Sequence, residues 1–75
     1  MILYVQIRHH DGYLTEVEIL KIGTYEECVD TAMEHFNKYA INPMKKEHLI
    51  NKLNNDELYK VNADYGYTEY KLRDG

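Results

Sequence analysis

The chain has 75 residues, of which 44% are hydrophobic and 29% charged, and its formal net charge is −4. This length allows one domain with one core, and the composition is that of a globular rather than a disordered chain. The acidic balance argues against direct binding to nucleic acid or to an anionic membrane, because both need a basic protein surface.

Two strand-type runs open the chain. Residues 1–8 are rich in β-branched and aromatic side chains, and residues 13–22 alternate apolar and polar side chains through their middle. They predict an antiparallel hairpin with a three-residue loop of His10, Asp11 and Gly12, in which Gly12 takes the left-handed conformation. Past Ile19 the alternation slips, which indicates a bulge or the end of the strand.

The register of this hairpin is predicted from the match of apolar residues across it. A three-residue loop places Val5 opposite Val17, so that apolar side chains share the core face of the sheet. A two-residue turn would instead place Val5 opposite Glu18 and bring glutamates to that face. We therefore expect the first register. The opposite face is then expected to be polar and half-exposed, and to carry Tyr4, Gln6, Glu16 and Glu18.

Two helices are predicted in the middle of the chain. Over residues 24–40 the apolar side chains recur at gaps of three and four, and Thr24 with Glu27 has the spacing of a capping box. This helix is expected to end before Pro43, because a proline disfavours helical geometry in the residue before it. A shorter helix is predicted over residues 43–53. Half-buried core positions are expected for Tyr25 and Tyr39.

Residues 57–73 admit two interpretations. Alternation from Tyr59 to Tyr65 indicates a strand, whereas Leu58, Val61 and Tyr65 also fit the spacing of a helix that stops at Gly66. We favour the strand, as part of a second hairpin. That hairpin would turn near Asp64, Tyr65 and Gly66 and continue into a last strand.

These elements predict one α+β domain over residues 1–75. Its antiparallel sheet would have three or four strands, in the order ββα-α-ββ. One long amphipathic helix would pack on one face of the sheet, accompanied by a shorter second helix.

The sequence predicts neither catalysis nor a metal site. His9, His10 and Asp11 lie at the hairpin turn, but neighbouring strand residues point to opposite faces and chelate a metal poorly together. The single cysteine, Cys28, shares the apolar stripe of the first helix and is expected to be a buried, inert thiol, which suits a cytoplasmic protein. No phosphate-binding, paired-cysteine or zinc-protease motif occurs, so no enzyme activity and no cofactor are expected.

An acidic ridge is predicted on the exposed face of the first helix. Glu26, Asp30 and Glu34 recur every four residues, and Glu27 lies beside them. The simpler interpretation is a solvated helix face, and the functional one is a docking site for a basic surface of a protein partner. The alternative contact is a sheet-face pair of aromatic residues, Tyr4 and Tyr70.

The expected function is that of a non-enzymatic protein-binding module. The short chain and its eight tyrosines favour a homodimer or a partner-bound state. No contact with a membrane is expected. In size and in its lysine, asparagine and tyrosine content the chain resembles small accessory proteins of bacteriophages and other mobile elements. That resemblance covers no motif, and it implies a protein that binds and inhibits or regulates a host protein. The alternatives are an acidic mimic of nucleic acid in a DNA- or RNA-binding site, and a small ligand- or metal-binding domain.

Overall fold

The computed structural model describes residues 1–62 and 66–75, so the turn predicted at Asp64 and Tyr65 lies outside the described residues. In chain order the elements of the described residues are β1 (Ile2–His9), β2 (Leu14–Ile22), α1 (Tyr25–Asn37), α2 (Lys46–Asn54), β3 (Tyr59–Asn62) and β4 (Gly66–Arg73). These strands form one antiparallel sheet in the order β2-β1-β4-β3. The predicted α+β class, with an antiparallel sheet and two helices, is confirmed.

Both helices pack on the same face of the sheet, and the core lies between the two layers. β1 contributes Leu3 and Val5, and the helices contribute small and branched residues that approach the sheet closely. Cys28 is fully buried, as predicted. The remaining members of the core cluster are Ala32, Leu49, Leu53, Leu58, Tyr70 and Leu72.

The first helix begins as predicted but ends early. Thr24 and Glu27 form the capping box, with both reciprocal hydrogen bonds present. At the other end the Asn37 side chain donates to the carbonyl of Met44 at 3.1 Å and accepts from its N–H at 2.9 Å, which turns the chain out of the helix. Tyr39 then takes a φ of 66° and is 91% exposed, so the predicted half-buried position of Tyr39 is wrong.

The loop of the first hairpin is the predicted one. The N–H of His9 donates to the carbonyl of Tyr13 at 3.0 Å, and the N–H of Gly12 donates to the carbonyl of His9 at 2.8 Å. Gly12 has a φ of 92°, the left-handed conformation that this loop needs. Arg8 therefore pairs with Leu14, as a three-residue loop requires.

The predicted register beyond this loop is wrong, because a bulge follows at once. The pairing shifts between Ile7 and Arg8, which leaves Thr15 as the extra residue, with its hydroxyl donating to the carbonyl of Ile7 at 2.8 Å. The shift places Val5 opposite Glu18 instead of Val17. A second shift leaves Leu20 unpaired, which is the bulge predicted past Ile19.

The bulge at Thr15 reverses the face of the sheet on which each later β2 side chain lies. Val17 and Ile19 now share a face with Gln6 and Tyr4, on the side of the sheet away from the helices. Glu16 and Glu18 lie on the helix side but remain exposed, because β2 is an edge strand that the helices leave largely uncovered. The predicted polar face with Glu16 and Glu18 is therefore wrong.

The strand interpretation of the ambiguous segment is confirmed for β3 (Tyr59–Asn62), which pairs with β4. The last strand lies inside the sheet, between β1 and β3. Its first residue, Gly66, has a φ of 146°, and a Cβ atom there would collide with the carbonyl oxygen of Arg8. A glycine is therefore required where β4 enters the sheet beside β1.

Candidate functional site

The face of the sheet that the helices leave uncovered, called the open face below, carries an unusual set of side chains. The strand pairings place its residues in four rows across the sheet. From one end of the sheet to the other, the rows are Ile22, Ile2 and Arg73; Ile19, Tyr4 and Lys71; Val17, Gln6, Glu69 and Tyr59; and Leu14, Arg8, Tyr67 and Val61.

One edge of the open face consists of aliphatic side chains only. Every β2 residue on this face is aliphatic, and each is between 45% and 68% exposed. We call these four residues, which follow one another along β2 at right angles to the four rows above, the aliphatic row: Leu14, Val17, Ile19 and Ile22. Exposed apolar residues that stand alone are normal, but a contiguous group of them marks an interaction surface.

Further apolar side chains lie next to the aliphatic row and at the far edge of the open face. Ile2 and Tyr4 are half-buried beside it on β1, and Tyr59 and Val61 of β3 are 58% and 72% exposed on the opposite edge. An antiparallel sheet with one covered face normally places its apolar residues inward and its polar residues outward. On β2 this sheet does the reverse, which is the arrangement expected if something else covers the open face.

Charged side chains occupy the middle of the open face. Arg8 forms an ion pair with Glu69, so both charges are compensated within the fold. Arg73 contacts Asp56 at 2.9 Å, and this guanidinium lowers the pKa of the Asp56 carboxyl. Lys71 lies two residues from Glu69 on the same strand and the same face. Along β4 the open face thus carries one negative side chain, Glu69, followed by two positive ones, Lys71 and Arg73.

The predicted acidic ridge is present on α1 but is partly neutralised. The Glu27 carboxylate accepts from the N–H of Thr24 at 2.9 Å, and this hydrogen bond lowers its pKa. Asp30 lies 3.6 Å from the Lys46 ammonium. Within residues 1–62 and 66–75, Glu26 and Glu34 form no ion pair, so half of the ridge is committed to the fold.

The predicted pair of sheet-face tyrosines does not exist as a pair. Tyr4 lies half-buried on the open face, whereas Tyr70 lies on the opposite side of the sheet and is fully buried in the core. The placement of Tyr70 on the open face is therefore wrong. The reason is register, because Tyr70 pairs with the core residue Val5 while Tyr4 pairs with Lys71.

Tyr70, a core residue, is joined to α1 by a side-chain hydrogen bond. Its hydroxyl oxygen lies 2.6 Å from Nδ1 of His35 on α1. Burial raises the pKa of Tyr70 to about 12. Partial burial, and next the charge of Lys60, lower the pKa of His35. The contact links the buried Tyr70 of the sheet to His35, an exposed residue of α1.

The hairpin tip and a groove between the two helices also carry polar groups. At the hairpin tip the His9 ring stacks on Tyr13 with ring centroids 5.0 Å apart, and the described residues contain no group of three or more His, Cys, Asp or Glu side chains able to hold a metal ion. A shallow groove of about 430 Å³ lies between the N-terminal ends of α1 and α2. Its lining residues are Thr24, Tyr25, Glu26, Val29, Lys46 and Ile50.

Comparisons of the chain with protein-family models, curated proteins and solved structures find no match. Among the residues that the structure describes, no helix has the length and apolar character needed to cross a membrane. What the chain can do must therefore be argued from its own surfaces.

The aliphatic row was missed by the sequence analysis, although a signal for it exists. Leu14, Val17, Ile19 and Ile22 follow one another at intervals of three, two and three residues. An interval of two keeps side chains on one face of a strand, and a bulge lengthens the interval by one. Two bulges thus align all four side chains, and the spacing alone was sufficient to suggest this.

Proposed function

We propose that this protein is a non-enzymatic protein-binding module that recognises its partner through the open face of its sheet. The observation that carries the proposal is the aliphatic row, exposed along the whole of β2 and continued by Ile2 and Tyr4. Apolar area removed from water contributes roughly 25 cal/mol per Å², so covering this face would stabilise a complex considerably. Following the resemblance in composition, the proposed role is to inhibit or regulate the protein that is bound.

The acidic ridge is the weaker candidate for the recognition surface. Glu27 caps α1 and Asp30 pairs with Lys46, so both side chains already have partners within the fold. Exposed charges also contribute mainly to the rate of association and little to affinity. For the same reason, the mimicry of nucleic acid by this ridge is not the function we favour.

The test is a pull-down with three tagged forms of the chain, followed by mass spectrometry of the captured proteins. Bacterial lysate is the first source, given the proposed role. The forms are the native chain, an open-face variant with Ile19→Lys, and a ridge variant with Glu26→Lys, Asp30→Lys and Glu34→Lys. We expect the native chain and the ridge variant to capture the same protein, and the open-face variant to lose it. A buried lysine without a counter-charge is costly at an apolar contact.

Fold integrity is the necessary control, measured for each form by circular dichroism and thermal unfolding. Ile19 is 59% exposed, so its replacement should change the stability of the chain by less than about 0.5 kcal/mol. Capture that survives Ile19→Lys but fails in the ridge variant would reverse the assignment in favour of the acidic ridge.

A further inference from the structure

We propose that, before it meets another protein, this chain covers its open face with the open face of a second copy, as a twofold-symmetric dimer of sheets packed face to face. This inference rests on the surface identified under the proposed function, and it names one occupant of that surface. Three features of the open face support it: its size, its pattern of side chains and the position of its charges.

The size of the open face matches a whole interface. Its strands have 9, 8, 8 and 4 residues, and at about 3.3 Å per residue and about 4.8 Å between strands they span roughly 450 Å² in projection. Protruding side chains give such a face more accessible area than its projection, and a specific interface buries about 800 Å² on each partner. A single bound strand would cover only part of this area, whereas a second sheet would cover all of it.

The pattern of side chains is self-complementary about one axis. Consider a twofold axis that lies between the two sheets, at right angles to the strands, and passes between the Tyr4–Lys71 row and the Gln6–Glu69 row. It stacks each β2 on the β2 of the other copy. Ile19 then packs over Val17 of the second copy, and the end residues of the aliphatic row, Ile22 and Leu14, cover each other.

One pair of charges complements itself about the same axis, while Arg8 falls over Ile2. Lys71 of one copy faces Glu69 of the other, so that Glu69, already paired with Arg8 of its own copy, gains a second cation at two equivalent positions across the interface. Arg73, whose guanidinium is also held by Asp56 of its own copy, falls over the ring of Tyr67, a favourable arrangement of a cation on an aromatic face. No two like charges of the four rows face each other. The acidic ridge lies on the far side of each sheet, so its four carboxylates are kept away from the contact.

Two other ways of pairing two copies fit less well. A twofold axis parallel to the strands places β2 over the four-residue strand β3 and leaves Ile19 and Ile22 without cover. If two β2 edges paired side by side with Val17 at the centre, Glu16 of each copy would lie directly opposite Glu18 of the other. With Glu16 or Glu18 at the centre, that glutamate would face itself. Like charges directly opposite one another destabilise a strand pair. Of these three arrangements, only the one with its axis at right angles to the strands covers the whole aliphatic row.

The first test is the mass of the native chain in solution, by sedimentation over a concentration series. We expect a reversible dimer, and we expect Ile19→Lys to raise its dissociation constant at least roughly tenfold, because two lysines would be buried without partners. The matched control is Ile41→Lys, the same change at a residue that is 94% exposed in the α1–α2 loop, which should leave the dimer unchanged. A dimer that Ile19→Lys leaves intact would place the contact elsewhere and overturn the proposal.

The second test addresses the arrangement. In a Lys71→Glu chain, and likewise in a Glu69→Lys chain, the pair across the axis becomes like-charged, so each variant alone should dimerise more weakly than the native chain. An equimolar mixture of the two variants restores opposite charges at both contacts and should form a heterodimer. Failure of the mixture to associate more strongly than either variant alone would refute this axis.

The outcomes separate this inference from the proposed function. A native chain that stays monomeric at millimolar concentration overturns the dimer. If Ile19→Lys then still abolishes capture of another protein, the open face remains the recognition surface and only its second occupant is wrong. If Ile19→Lys alters neither dimerisation nor capture, both proposals fail.

Discussion

At the scale of single residues, the contact between His35 and Tyr70 links α1 to the covered face of the sheet. The Tyr70 ring is fully buried, and its hydroxyl has His35 as its partner at 2.6 Å. Tyr70→Phe removes that hydroxyl and leaves Nδ1 of His35 without this hydrogen bond. We expect the free energy of unfolding to fall by about 1 kcal/mol, measured by chemical denaturation.

The control for this change lies on the other face of the sheet. Tyr59→Phe removes the same hydroxyl from a side chain that is 58% exposed, and it should change the free energy of unfolding by less than about 0.5 kcal/mol. Equal losses in both variants would show that the contact between Tyr70 and His35 has no special weight.

His35 should also make the fold sensitive to acid. Burial and the charges of Lys60 and Lys38 lower its pKa in the folded chain, against the opposing effect of Glu18. The unfolded chain therefore binds the proton more tightly, so stability is greatest with His35 neutral. It decreases as the pH falls below the unfolded pKa of 6.5 towards the lower folded value.

This dependence is measured as the change in free energy of unfolding between about pH 7.5 and pH 5.5. The change should be smaller in His35→Gln than in the native chain, because the variant has no proton to gain at this position. A native slope in His35→Gln would disprove the assignment to His35.

At the scale of elements, local signals were predictable and the orientation of β2 was not. The capping box at Thr24 and the left-handed Gly12 are fixed by residues within four positions of each other, and the sequence predicted both. The face that Val17 and Ile19 adopt depends on a bulge at Thr15 and on which side of the sheet the helices cover. Both depend on contacts between distant parts of the chain, so matching apolar residues within one hairpin gave the wrong register.

Gly66, where β4 enters the sheet, should tolerate substitution less well than Gly12. Gly66 and Gly12 both have positive φ, but only at Gly66 would a Cβ atom meet backbone, whereas the space around Gly12 is open. Gly12→Ala should therefore cost only the backbone strain, about 1 kcal/mol. Gly66→Ala should cost clearly more, because β4 must also move away from β1. Thermal unfolding of the two variants compares them directly, and an equal cost would contradict the collision with Arg8.

At the scale of the whole molecule, the helix side and the open face carry different kinds of side chain. The molecule measures 33 × 30 × 19 Å, and the shortest dimension is the thickness of one helix layer on one sheet. The helix side carries the acidic ridge, while the other side carries the aliphatic row and the charged residues of β4. The periodic patterns along the sequence predicted the fold class, but this division required the sheet pairings, since it depends on which face each strand residue occupies.

The pairing of β1 with β4 also determines how the molecule should respond to mechanical force. Ile2 and Arg73 are partners at the same end of these two central strands. A force that pulls them apart loads the hydrogen bonds of the ladder one after another, so the sheet should unzip at low force. Handles at His9 and Arg73, at opposite ends of the same ladder, would instead load its bonds together in shear. Single-molecule pulling should then show a clearly higher rupture force in the second geometry, although the protein and its hydrogen bonds are the same in both.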